Sequence, residues 1–283
     1  MSPSLASRTV ILTGASQGLG PYLARRLAAE GARLVLAARS RDKLELVAAA
    51  LRADGAEVEI VVTDVTDETD RRNLVHRSRA RFGQIDVLIN NAGVEEILPF
   101  EEQEPEAITR MIATNVVAPL QLARLVLPEM LQAGRGHIVN IASLAGLLGM
   151  PYGSVYAGSK AALATWSLSL AAEVRHRGVH VTTICPGFVA KAGMFARKET
   201  RAPGLLGEVQ PEDVAEAVLR ALRTGAPQLV VTARPVRPML VLRALAPALY
   251  MKLGEALGAV QFLRRVAAKE LAKLRKRDAL HRN

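Results

Sequence analysis

The chain has 283 residues, half of them hydrophobic and only 4% aromatic, with 37 Lys+Arg against 27 Asp+Glu for a net charge of +10. That length carries one large α/β domain and not two comfortable ones, the apolar content excludes a disordered chain, and the scarcity of aromatics argues against base stacking on nucleic acid. Cys185 is the only cysteine, which excludes an internal disulfide and a multi-Cys metal site and fits a reducing, cytoplasmic compartment.

Met1–Ser7 lacks an apolar run, so no secretory signal is expected. Strand-like and helix-like runs then alternate. Thr9–Leu12 is β-branched and apolar, and Leu19–Ala29 reads as a helix with Pro21 tolerated in its first turn. Arg33–Ala37 is a second strand, followed by a helix through Leu44, Val47, Ala48 and Leu51. Val58–Val62 is a third strand, Asp67–Phe82 a polar helix and Asp86–Ile89 a fourth strand. Two helices are expected at Pro105–Ala113 and Val116–Ala133, then a strand at His137–Ile141, a long helix over Val155–Arg175 and a strand at His180–Ile184. Residues 191–209 show no period; Pro211–Arg223 is a helix and Gln228–Val231 a seventh strand. Strands separated by helices of this length imply a Rossmann-like, doubly wound α/β fold, a parallel sheet with helices on both faces.

The stretch Thr13-Gly14-Ala15-Ser16-Gln17-Gly18-Leu19-Gly20 falls between the first strand and the first helix. Glycines allow a tight turn and close approach to a pyrophosphate, and the helix start adds unpaired N–H groups. The spacing Gly-x3-Gly-x-Gly resembles that of the short-chain dehydrogenase/reductase family. The resemblance continues in order: Asp64-Val65 after the third strand, Asn90-Asn91-Ala92-Gly93 after the fourth, then Asn115, Ser143, Tyr156-x3-Lys160 and Pro186-Gly187. It covers residues 8–232 and implies an NAD(P)-dependent oxidoreductase, with Gly14, Ser16, Gln17, Gly18, Leu19, Gly20, Asp64, Val65, Asn91, Ala92, Gly93, Pro186 and Gly187 among the cofactor contacts. It also implies a dimer or tetramer formed through the long helices. The family's usual Thr after Pro-Gly is missing, which leaves the carboxamide contact to the Val189 backbone.

The end of the second strand sets the expected cofactor. A carboxylate there would hold a ribose 2′-OH and repel a 2′-phosphate. The chain instead has Arg39 and Ser40, which can hold a phosphate together with Ser16. NADP(H) is therefore the expected cofactor, with NAD(H) as the alternative.

Tyr156 and Lys160 lie four apart and share a helix face. Carbonyl reduction needs a proton donor beside the oxygen that gains charge, and an ammonium beside a phenol is expected to lower its pKa. By resemblance, Lys160 also holds the ribose, Ser143 steadies the substrate oxygen and Asn115 positions Lys160. Taken alone, Tyr and Lys at this spacing are common on solvated helices; Ser143 and Asn115 in register give the pair its weight. The five histidines are scattered without metal-ligand spacing, so no metal site is expected. Cys185 reads as a small buried residue and not a nucleophile. Asp64 has a second reading as a cap of local backbone, and Glu95-Glu96 reads equally as active-site mouth or solvated loop. The rival reading of the whole chain is a cofactor-binding interaction protein with weak or no turnover.

Leu144, Leu147, Leu148 and Met150, with Phe188, Val189, Met194 and Phe195, follow strand ends and suggest a lipophilic substrate, with 191–209 as a lid. The chain divides in charge: residues 1–233 carry 25 Lys+Arg and 24 Asp+Glu, residues 234–283 carry 12 and 3. The body is nearly neutral and the extension strongly basic. Charges at Arg243, Lys252 and Glu255 argue against a spanning helix. Leu253, Leu257, Val260, Leu263, Ala267, Leu271 and Leu274 instead predict one basic amphipathic helix. Packing on the domain or a partner subunit, contact with an anionic membrane surface as a peripheral protein, and nucleic-acid binding compete as its role, the last being weakest.

Overall fold

The structure, a computed structural model, describes residues 5–192 and 207–281, without the side chains of 277–281. In the sheet, β1 (Thr9–Thr13), β2 (Arg33–Ala38), β3 (Val58–Val62), β4 (Val87–Asn90), β5 (Gly136–Ile141), β6 (Val179–Pro186) and β7 (Gln228–Val231) run parallel in the order β3-β2-β1-β4-β5-β6-β7. Helices α1 (Gly20–Ala29), α2 (Arg41–Ala53), α3 (Glu68–Phe82), α4 (Pro105–Ile112), α5 (Ala118–Gln132), α6 (Leu144–Leu148), α7 (Ser154–Val174) and α8 (Pro211–Thr224) connect the strands. The seven-stranded, Rossmann-like reading of the sequence holds.

Strand alternation divides the core. Val10 and Leu12 of β1 face one side, packed with Leu23 of α1, Leu44 of α2 and Val218 of α8. Ile11 faces the other, with Leu74 of α3, Val126 of α5 and Leu170 of α7. A strand buried on both faces reads as a continuous apolar run, which is why β1 and β2 were plain in the sequence. The Asp67 carboxylate accepts from Asp70 N at 2.8 Å and starts α3.

Two expectations need correction, and a third lies largely outside the described residues. The two helices predicted across residues 105–133 form one continuous run, Pro105–Gln132, with a π-helical turn at Ala113–Val117 in place of a break. This run is long and apolar enough to cross a membrane, but Leu122, Val126 and Met130 bury it against the sheet. The single amphipathic helix of the extension is three: α9 (Arg237–Leu245), α10 (Pro247–Ala256) and α11 (Ala259–His281). Gly258, at φ +76, turns the chain between the last two, so Leu253 and Leu257 do not continue the α11 stripe. The proposed lid is described only at its feet, where Val209 N donates to Phe188 O and Ala190 N to Val209 O, both at 2.9 Å. Met194 and Phe195 lie outside the described residues.

Candidate active site

The strand order reverses between β1 and β4, because β1 leads towards β2 on one side and β4 towards β5 on the other. The loops leaving these two strands diverge, and the crevice between them is where such sheets bind ligands. Thr13 ties the two loops together. Its hydroxyl oxygen accepts from Asn91 N at 3.0 Å and Ala92 N at 3.1 Å, while Asn91 Nδ2 donates to Thr13 O and Gly14 O. Gly14 and Gly18 hold φ of +63 and +62. A Cβ on Gly14 would lie 2.8 Å from Ala92 Cα, and one on Gly20 would lie 2.3 Å from Gly14 O. The glycines thus let the loop close on itself and on the β4 end.

Tyr156 and Lys160 are buried on α7, with Lys160 Nζ 6.0 Å from the centre of the Tyr156 ring. Lys160 Nζ donates to Ile141 O at 2.8 Å, which anchors the ammonium to the end of β5. Ser143 caps α6 by accepting from Ala145 N at 3.1 Å, and its side chain also hydrogen-bonds Tyr156. Asn115 sits in the π-turn with no solvent exposure. It accepts from Val94 N at 2.9 Å and donates to Val94 O at 2.8 Å and to Ser159 Oγ at 3.0 Å. Ser159 in turn donates to Tyr156 O at 2.7 Å. Asn115 and Lys160 meet at Gly93, where a Cβ would lie 3.2 Å from Asn115 Oδ1 and 3.3 Å from Lys160 Nζ.

The electrostatics differ from the expectation that Lys160 lowers the Tyr156 pKa. Burial, reinforced by the Glu95 carboxylate, pushes the phenol above its ordinary range, and the Ser143 bond opposes this without reversing it. Burial also lowers Lys160 to about 8 despite the opposite pull of Cys185 and Glu95. A lysine so desolvated is a weaker source of positive charge than its exposed counterpart. Cys185 is fully buried, and its thiol is pushed up to about 11 by burial, in keeping with an inert reading.

One cavity of about 690 Å³ runs through the site. Gly14, Gln17, Gly18, Leu19, Asn91, Ala92, Gly93, Pro186, Gly187 and Val189 line it, as do Ser143, Tyr156 and Lys160. Asn115 stands behind the cavity wall. Ser16, Gly20, Arg39, Ser40, Asp64 and Val65 lie off the lining, at or beyond the ends of the first three strands. There Ala15 N bonds Ala37 O and Thr63 N bonds Ala38 O, which joins the three strand ends into one rim. Arg39 is exposed on that rim. Asp64 caps local backbone, accepting from Thr66 N at 2.9 Å and Thr66 Oγ1 at 2.7 Å. Its pKa is lowered: burial raises it, but the Thr66 bonds and the Arg39 and Arg71 charges outweigh that. Its backbone N–H is also engaged, donating to Asp70 Oδ2 at 2.7 Å.

Sequence reading missed two sets of residues. Ser159 gave no signal, since serine on a helix is ordinary. The second set comes from the extension: Val236, Met239, Tyr250, Leu253, Leu257 and Leu263 close the far side of the cavity, joined there by Leu144, Leu148, Met150 and Phe188. Glu95 also lines the cavity. Leu147 does not; it packs with Ala142, Ala164 and Cys185. The extension is pinned to the body by Phe262 edge-on to Phe188, by Arg264 Nε donating to the Tyr152 hydroxyl at 2.8 Å, and by buried Val266 and Ala267 against Ile97.

Comparison with known proteins agrees with this geometry. A ketoacyl reductase, HetN, of Nostoc sp. is 39% identical over 86% of this chain and 85% of that protein. An uncharacterized oxidoreductase of Staphylococcus aureus is 36% identical over 77% of this chain and 92% of its own length. A metagenomic short-chain oxidoreductase solved in complex with NADP superposes with a TM-score of 0.70 at 34% identity, over 81% of this chain and 98% of that one. An NAD+-bound xylitol dehydrogenase, at 24% identity and a TM-score of 0.74 over 82% of this chain and 100% of its own, shares the fold. The family model described as short chain dehydrogenase matches residues 8–202, and the chain is a member of that family of nicotinamide-dependent oxidoreductases.

Proposed function

We propose that the chain is an NADP(H)-preferring carbonyl reductase or alcohol dehydrogenase acting on a lipophilic ketone or secondary alcohol. One observation carries this: a single cavity joins the glycine loop, the Tyr156 and Ser143 hydroxyls, and an apolar far wall. The glycine cradle and the α1 start beyond it fit a dinucleotide pyrophosphate, and the volume lies in the range of cofactor and substrate sites. A bound nicotinamide would supply or accept the hydride. The chain's own residues handle the proton and the orientation. In reduction, Tyr156 Oη gives its proton to the carbonyl oxygen as charge builds there, and the Ser143 hydroxyl donates to the same oxygen. The raised pKa of Tyr156 keeps it protonated at neutral pH, which favours the donor role. Lys160, held at Ile141 O and flanked by Asn115, returns a proton to the phenolate. We place the enzyme in the cytoplasm, in line with its single buried thiol.

Two further observations support the finer points. The end of β2 holds the exposed guanidinium of Arg39 and no carboxylate, which suits a 2′-phosphate. A relative named as a ketoacyl reductase supports a carbonyl on an acyl chain. Fluorescence titration tests the cofactor preference. Wild type should bind NADPH about tenfold or more tightly than NADH, and Arg39→Ala should lose most of that margin. Equal affinities in wild type would refute the preference.

A further inference from the structure

Neither α9 nor α10 buries a residue, so the two helices form an outer layer. Six of the eleven exposed large hydrophobics among the described residues fall between Val241 and Leu257. Leu245 is 82% exposed and Met251 65%. Leu249, Leu253 and Leu257 repeat every four residues, so they form one strip, which remains 56%, 41% and 58% exposed. Leu253 and Leu257 also line the cavity. The apolar surface is thus continuous from the outside of α10 into the substrate space. An apolar surface of this kind marks an interaction site.

Charge selects the occupant. Residues 234–283 carry 12 Lys+Arg against 3 Asp+Glu, and Arg243 of α9, Lys252 of α10 and Arg265 of α11 are exposed. A second copy would bring two such basic extensions together, which like-charge repulsion disfavours. An anionic bilayer offers both an apolar interior and the opposite charge. We propose that the α9–α10 face docks on the surface of an anionic phospholipid bilayer. Leu245 and Leu249 enter the acyl boundary, the basic side chains sit among headgroups, and substrate passes along the Leu253–Leu257 strip into the cavity. The docking stands on the extension alone; the passage of substrate rests on the lipophilic reading above.

Vesicle flotation of the full chain tests it. Wild type should float with phosphatidylglycerol/phosphatidylcholine vesicles at low salt and not with pure phosphatidylcholine. The double variant Leu245→Glu/Leu249→Glu, which leaves the cavity lining untouched, should bind about tenfold more weakly. Its turnover of a water-soluble ketone should be unchanged, while KM for a long-chain ketone embedded in the vesicles should rise. No flotation of wild type, or equal flotation of both proteins, would overturn the docking. So would a concentration-dependent dimer of wild type that the double variant abolishes, since it would make a second copy the occupant. Flotation that behaves as expected without turnover of any ketone would leave the docking standing and count against the enzymatic reading alone.

Discussion

At the residue scale, Lys160 shows what spacing reveals and what it cannot. The spacing of four from Tyr156 to Lys160 fixes a shared helix face, and that much was legible. The electrostatics were not, because burial is a property of the packed molecule. An ammonium removed from water pays a desolvation penalty, and its pKa falls to about 8. The folded state therefore binds this proton less tightly than the unfolded chain does. Below pH 8 the protein carries the full penalty, which fades as pH rises towards the ordinary lysine pKa. Lys160→Met should accordingly raise stability at pH 7 by roughly 1–2 kcal/mol, after allowing for the orphaned Ile141 carbonyl. The gain should shrink by pH 10, and turnover should be lost. Urea midpoints at the two pH values check this; a destabilised variant at pH 7 would contradict it. Asp64 follows the same pattern: its position was legible, but its carboxylate is held by Thr66.

At the element scale, the strands were readable because a sheet covered on both faces needs continuous apolar runs. The run from Pro105 to Gln132 was misread because a π-turn leaves no mark in the sequence. Such turns often sit at functional sites, and here the turn presents Asn115 to both backbone groups of Val94. Asn115→Ala leaves those partly buried groups without their side-chain partner and frees the Gly93 loop. A stability loss of about 2–3 kcal/mol is expected in equilibrium unfolding, together with a fall in kcat. Asn115→Asp should keep the bond from Val94 N and recover part of the stability. If Asn115→Ala unfolds at the wild-type midpoint, the turn is not held as described. The extension was misread for a different reason. Its leucines repeat at helical spacing through Gly258, and only the positive φ of that glycine separates two helices whose stripes serve different surfaces.

At the scale of the whole molecule, the extension completes the wall of the cavity. Two solved structures that share the fold are matched over nearly their full length, 98% and 100%, while about a fifth of this chain has no counterpart in them. No motif in the sequence could have assigned the extension to the cavity, because its contribution is a wall of ordinary apolar side chains. The wall should set chain length. Met239→Trp fills the far side and should raise KM for a long-chain ketone about tenfold while leaving a short one unaffected. Equal effects on both would mean that the extension does not shape the substrate space. The central claim, that Tyr156 is the proton donor of a reductase, is tested most directly by single-turnover NADPH oxidation in wild type and Tyr156→Phe with a long-chain ketone. The account predicts a rate lower by about 10² to 10⁴ in the variant with NADPH affinity unchanged. Wild-type rates in the variant, or no NADPH oxidation by wild type over a broad panel of ketones, would contradict it.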